Sequence, residues 1–354
     1  MASFKELFFT PAEFATVAKI DKSQVSQLEA QGKLTTLKRR VGNVDRKMIA
    51  LAEVQAYFQR LRETEIGRHG DQMGTGAEAA GTPLPADADP AAVAAATGFV
   101  PVNPKQKVQM FYNVKGGTGK STLTAQYVMR AAMYGYRVLA VDLDGQGHLT
   151  VNLDILDSHE RPSVYDVLIN DLPIEQAVMN VAPGLDLIPA NLGLCNIEIP
   201  LNSKTRREYR LAEAIEKVKD QYDLIVADTN PAASILNCSM LVAADLVNIV
   251  CATNPLSFHG MSLVMATIEE MEREFRKQLD IKIIPNMYDS REVISQEVLG
   301  ELQSQFTGVC TRAVVNRSAD MNEATKRRTT VWGVNPRGTA AQDIGLLSEE
   351  LLFG

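Results

Sequence analysis

Residues 113–122 read Asn-Val-Lys-Gly-Gly-Thr-Gly-Lys-Ser-Thr, between a β-prone run at 108–112 and a helix-prone run at 123–134. A glycine-rich turn in that position points successive backbone N–H groups inward and adds the positive end of the following helix dipole. Together these hold phosphate. Gly116, Gly117, Thr118 and Gly119 would line the cradle, with Thr122 in the first helical turn. Lys120 would reach the β- and γ-phosphates of a nucleotide, and the Ser121 hydroxyl would ligate Mg2+. The usual spacing asks for a glycine five residues before Gly119. Val114 stands there, and a second lysine, Lys115, opens the loop instead. A plain flexible loop is the alternative, but Gly-Lys-Ser-Thr between a strand and a helix argues against it.

Two further segments bring carboxylates toward the same place. Val141-Asp142-Leu143-Asp144 leaves one apolar run, and Asp223-Leu224-Ile225-Val226-Ala227-Asp228 ends another. Ligands of open parallel sheets sit at the carboxyl ends of the strands. Asp142 and Asp144 would then serve Mg2+ and the attacking water, and Asp228 would hold Mg2+. A strand ending in Asp is common by itself. As successive elements beside a phosphate loop, these carry more weight.

The elements that must position these residues are legible from about Lys107 onward. Apolar runs expected as strands fall at 108–113, 137–143, 185–189, 222–228, 246–252, 281–287 and 310–315. Amphipathic runs expected as helices fall at 120–134, 163–169, 208–220, 234–243, 259–278, 292–306 and 319–327. Continuous apolar strands need cover on both faces. The expected fold is therefore α/β, a mostly parallel sheet with helices on both faces, as in P-loop NTPases. It would occupy residues 106–354, preceded by a linker at 67–105 rich in Ala, Gly, Pro and Asp and by a small domain at 1–66.

The loop form Lys-Gly-Gly-x-Gly-Lys-[Ser/Thr]-[Ser/Thr] resembles the deviant Walker A motif of the ParA/MinD family of ATPases. The segment from Asp142 is similar to that family's Asp-x-Asp-Pro-Gln-Gly-Asn-x-Thr, matching at Asp142, Asp144, Gln146, Gly147 and Thr150 and departing at Gly145 and His148. Asp228 matches the family's Asp-x-Pro-Pro, with Asn230 replacing the first Pro. Residues 283–291 and 314–324 resemble its later segments, so the resemblance covers roughly 107–345. It implies that Lys115 crosses a dimer interface to the partner's nucleotide and that Asp144 orients the hydrolytic water. It also implies that Asn286 reads the adenine edge, for which an ordinary strand-to-helix asparagine is the alternative. The implied cycle uses ATP and Mg2+ to form a homodimer that binds DNA nonspecifically on the nucleoid. A ParB-like partner then stimulates hydrolysis and releases the dimer.

The first 66 residues carry their own signals. Thr10-Pro11-Ala12-Glu13 combines an N-cap, a first-turn proline and a capping box, opening a helix to about Ala18. After a turn at Ile20-Asp21, a second helix from Lys22 to Gln31 would present Lys22, Ser23, Gln24 and Gln27 to a DNA groove. Residues 34–41 and 44–48, joined at Gly42-Asn43, would form a wing whose Lys38, Arg39, Arg40, Arg46 and Lys47 meet phosphates. A closing helix, about Leu51 to Glu65, completes a winged helix-turn-helix similar to MerR-like domains. The alternative is a protein-interaction module with a solvated charge cluster. Lys326, Arg327, Arg328 and Arg337, with Arg273, Arg276 and Lys277, are candidates for a nonspecific DNA face.

Composition bounds the rest. The 354 residues are 45% hydrophobic and 22% charged, with a net charge of −7, which disfavours wholesale coating of nucleic acid but not a local basic face. No apolar run spans a bilayer, and the acidic C-terminal run argues against a membrane-cycling MinD-like role. The four cysteines are widely spaced, which speaks for a reducing cytosol and against an iron–sulfur carrier. The cargo is left open between DNA and a protein assembly positioned by a ParA-like ATPase.

Overall fold

The computed structural model describes residues 4–41, 44–70, 104 and 107–354. The expected turn at Gly42-Asn43 lies outside the described residues. So does the expected linker, apart from residues 67–70, which continue a helix, and Pro104.

The N-terminal part begins with β1 (Phe8–Phe9) and α1 (Pro11–Ala18). The capping box forms as its residues dictate: Thr10 Oγ1 accepts from Glu13 N at 3.3 Å, and Glu13 Oε2 accepts from Thr10 N at 2.7 Å. Lys19, at φ 56°, turns the chain into α2 (Lys22–Ala30). β2 (Leu37–Val41) and β3 (Val44–Ala50) pair antiparallel, and α3 (Leu51–Gly70) follows. β1 joins β3 to make a three-stranded sheet in the order β1-β3-β2. Two residues are too few to show an alternating pattern, so β1 was not foreseeable.

From Val108 the chain builds a seven-stranded sheet. Its strands are β4 (Val108–Tyr112), β5 (Val138–Asp142), β6 (Met179–Ala182), β7 (Leu185–Ile188), β8 (Leu224–Asp228), β9 (Leu246–Ala252) and β10 (Asp280–Asn286). The order is β10-β9-β4-β8-β5-β7-β6, parallel throughout except for β6 against β7. Every residue of β4, β5, β8 and β9 is buried, as expected for strands covered on both faces.

The strand expected at 310–315 does not form. Thr311 N donates to Ile283 O at 2.9 Å and Val315 N to Pro285 O at 3.0 Å, and bridges form between Ile283 and Cys310 and, just past β10, between Tyr288 and Asn316, but no continuous ladder results. The C-terminal helix Thr339–Phe353 supplies the reason. Glu350 accepts from the backbone N–H groups of Arg312 and Ala313, both at 3.0 Å, and Asp343 accepts from that of Asn316 at 2.9 Å. Ala313 N, between the Thr311 and Val315 donors that do reach β10, is thus taken by a carboxylate, and the ladder is interrupted there.

The N-terminal part packs directly on the helix that follows the phosphate loop, α4 (Lys120–Met133). Phe58 is fully buried and meets Tyr134 edge-on at 5.0 Å. The last carbonyls of a helix lack intrahelical donors. Here Gln55 Nε2 donates to Ala132 O at 3.0 Å, and Arg62 Nη2 donates to Gly135 O at 3.0 Å. In the other direction, Arg130 Nη2 donates to Val17 O at 3.1 Å. One apolar core runs from Phe14 and Phe58 through Val128 to Ile344.

Candidate active site

Loop 113–119 joins β4 to α4, with Gly119 at the helix N-cap. Two conditions require glycine there. Its φ is 88°, and a Cβ would stand 2.4 Å from Asn286 Nδ2. That amide nitrogen donates to Thr118 O at 2.7 Å. The residue expected at an adenine edge therefore braces the loop's backbone from the end of β10. Asn113, also buried, holds the opposite side: Nδ2 donates to Val250 O at 2.8 Å, and Oδ1 accepts from Lys115 N at 2.9 Å. Lys115 itself is half-buried at the loop's front.

Lys120 is buried, and its Nζ donates to Lys115 O at 3.3 Å. Burial lowers its pKa, and the carboxylates of Asp228 and Asp144 act against that. Asp142 and Asp228 stand opposite each other in the parallel register of β5 and β8, both fully buried. Asp142 Oδ1 accepts from Asp144 N at 3.1 Å, and Oδ2 accepts from Thr150 N at 2.9 Å and Thr150 Oγ1 at 2.6 Å. Both oxygens of Asp142 thus shape the loop that follows. Asp228 differs: Oδ1 accepts from Thr124 Oγ1 at 3.3 Å, while Oδ2 is buried with no hydrogen-bond partner. Asp144 is half-exposed, and its Oδ1 accepts from Gln146 N at 3.0 Å.

Burial, foremost, pushes the carboxyl of Asp142 up to about 6. Burial and the Asp142 charge push that of Asp228 up to about 8, with Ser121 and Lys120 acting against. The folded chain therefore holds protons that the unfolded chain, with ordinary carboxyls near pH 4, has released. Stability of the nucleotide-free protein should then fall as pH rises through this window, since ∂ΔG/∂pH is negative where the folded state binds more protons. Thermal melts between pH 5 and 8 should show a falling Tm, and Asp228→Asn should flatten the fall. A Tm that rises over that range would contradict the buried pair.

Some residues of the site were not singled out beforehand. Thr124 lies one helical turn beyond Lys120, a spacing that puts both on one face of α4. Thr150 stands in the sequence only as a motif match. Asn230 replaces a proline, and its Oδ1 accepts from Ala232 N at 3.1 Å and Asn237 Nδ2 at 2.9 Å, so a side-chain-bonded turn does the work of ring rigidity.

The expected DNA-facing residues divide. Lys22, Ser23 and Gln27 are exposed on α2, but Gln24 Oε1 accepts from Asp21 N at 2.8 Å and serves the helix cap. All five residues of β2 are exposed. Lys38 stands directly opposite Lys47, and Arg39 opposite Arg46. Arg39 stacks on the Phe8 ring at 4.1 Å, and Lys47 pairs with Glu29. Far from this hairpin in sequence, Lys326 is exposed, Arg327 pairs with Glu323 at 2.6 Å, and Arg328 meets Asp154 at 3.5 Å. Lys277 leaves the expected DNA face: its Nζ donates to Val242 O at 2.7 Å and to Ala244 O.

Residues 106–281 match the family described as an AAA domain. The cell division protein PomZ of Myxococcus xanthus is 30% identical over 246 residues, covering 69% of this chain and 77% of that protein. The chromosome partitioning protein ParA of Caulobacter vibrioides is 32% identical over 222 residues, covering 62% and 83%. Among solved structures, cobyrinic acid a,c-diamide synthase from Mycobacterium smegmatis, with bound ATP analogue and magnesium, aligns at 29% identity and a TM-score of 0.58. That alignment covers 63% of this chain and 91% of that one. No helix among the described residues is long and apolar enough to cross a membrane. Identity of this extent, over more than three quarters of each curated relative, places the chain in the ParA-type family of partition ATPases.

Proposed function

We propose that this chain is a partition ATPase that binds ATP with Mg2+, dimerises on it, holds DNA while ATP is bound, and lets go after partner-stimulated hydrolysis. The observation that carries the reading is the orphaned Oδ2 of buried Asp228, beside buried Lys120 at the mouth of a phosphate loop. A hydroxyl from Ser121 and a carboxylate from Asp228 are the hard oxygen donors Mg2+ takes, so the residues present fit that ion. When bound, it would supply charge neutralisation on the phosphates. The loop N–H groups orient the phosphates, Lys120 faces their developing charge, and Asp144 orients water from the rim. Lys115 would act across the dimer interface. An ATP analogue and magnesium bound in a structure 29% identical to this chain support the cofactor assignment.

The N-terminal part would read an operator through α2 and the β2–β3 hairpin. Like charges directly opposite on a hairpin are destabilising unless something neutralises them. Glu29 neutralises Lys47, so the exposed Arg39–Arg46 pair, with Lys38 and Arg40 beside it, is what suits a polyanion. The full chain should therefore bind random duplex only with ATP or a slowly hydrolysed analogue, and prefer its own upstream region in any nucleotide state. Both interactions should weaken as salt rises. Replacing Arg40 and Arg46 with Ala should lower upstream-site affinity about tenfold, with ATP turnover unchanged. Absence of any sequence preference at moderate salt would instead favour a protein-interaction module. A second reading keeps the ATPase and takes a protein assembly as cargo, since one relative is named a cell division protein rather than a partitioning one.

A further inference from the structure

The loop carrying Asp144 departs from its family pattern at Gly145, and the structure shows what stands against that position. A Cβ on Gly145 would lie 2.6 Å from Cys195 Sγ and 2.8 Å from Cys195 N. No side chain fits without displacing backbone. Cys195 belongs to the short helical turn Leu192–Asn196, which leads directly into Ile197 and Glu198.

This segment is tied at three points. Just before it, Ala190 N donates to Thr150 Oγ1 at 3.0 Å, and that hydroxyl in turn donates to Asp142. In its middle, Cys195 seats on Gly145. At its end, Glu198 Oε2 accepts from Ile235 N at 3.0 Å and Oε1 from Leu236 N at 3.4 Å, the first residues of helix Ile235–Ala243. Asn237 of that helix donates to Asn230 O at 3.1 Å, holding the turn that follows Asp228. Leu194, Ile197 and Leu201 anchor the segment in the core.

We propose that residues 190–198 form a brace that positions Asp144 for hydrolysis, with Gly145, Cys195 and Glu198 as positioning residues. The brace registers the loop after β5 against the turn after β8, so the water-orienting carboxylate and the Asp228 carboxylate keep a set separation. Glycine at 145 is what this close seating needs, which accounts for the absence of the family's proline. The proposal rests on the reading of Asp144 as the water-orienting group.

The test measures steady-state kcat and KM, with separate titration of a fluorescent ATP analogue, for the full chain. Gly145→Ala lifts the loop off the brace, and Glu198→Ala frees the brace from the helix behind Asp228. Each should lower kcat by about tenfold to a hundredfold, the cost of roughly 1 Å of misplacement. Analogue affinity should stay within about threefold, because the phosphate cradle is untouched. Glu198→Gln keeps a carbonyl acceptor for Ile235 N and should retain most of kcat. Wild-type kcat in both Gly145→Ala and Glu198→Ala, or loss of analogue binding in step with kcat, would overturn the brace. Asp144→Ala separates the two ideas. If it loses turnover while the brace variants do not, only the brace fails. If it turns over normally, the water role and the proposal resting on it fail together.

Discussion

Lys120→Ala should abolish measurable ATP turnover and, with it, ATP-dependent DNA binding. The lysine is buried, its Nζ lies against the Lys115 carbonyl, and the charges nearest it are those of Asp228 and Asp144. Removing it deletes the charge-assisted donor facing the β/γ-phosphates and leaves the buried Asp142–Asp228 pair without a neighbouring cation. Loss of one preorganised donor to developing charge costs about 10²–10³ in kcat. Loss of the lysine's attraction for an incoming polyphosphate should weaken binding as well. A phosphate-release assay and a filter-binding titration read both effects, and unchanged turnover in a folded variant would end the phosphate-loop assignment. Lys115→Ala is the matched comparison. Half-buried at the loop's front, it should leave much of the nucleotide affinity in place but remove ATP-dependent dimers and turnover. Persistence of those dimers at wild-type levels would show that Lys115 does not act across the interface.

Asp144→Ala should bind ATP and fail to cleave it, accumulating as an ATP-bound dimer that stays on DNA. The side chain makes one hydrogen bond, from Gln146 N, and the loop beneath it is held independently by Asp142 and Thr150. The substitution therefore removes the water-orienting carboxylate and leaves the cradle intact. Turnover should fall by about a hundredfold or more, with ATP affinity within about threefold. Gel filtration with ATP and DNA dissociation after an ADP chase report the two consequences. Wild-type hydrolysis would show that the departures at Gly145 and His148 have moved the role to another residue.

The contrast between Asp142 and Asp228 shows how far strand-end carboxylates can be sorted from sequence. Both end apolar runs, and both were assigned to the cation. The structure turns Asp142 inward, with both oxygens bonded to Asp144 and Thr150, and leaves an oxygen of Asp228 without a partner. Local composition cannot separate these cases, because the difference depends on which donors the next loop brings back to the strand.

The phosphate loop, the α/β alternation and the capping box at Thr10 are legible from the order of residues alone. Each depends on residues within one turn or strand of one another, so spacing along the chain is spacing in space. Tertiary structure decided the remainder. Asn286 reaches Thr118 across 168 residues, and Cys195 meets Gly145 from a different loop. Glu350 and Asp343 take the backbone donors of an expected strand from a helix that follows it. The N-terminal part seats its aromatic residues on the end of α4 rather than closing a core of its own. These contacts have no periodic signature. They form because buried carbonyls, N–H groups and apolar faces must find partners, and only the packed fold determines which partner is near.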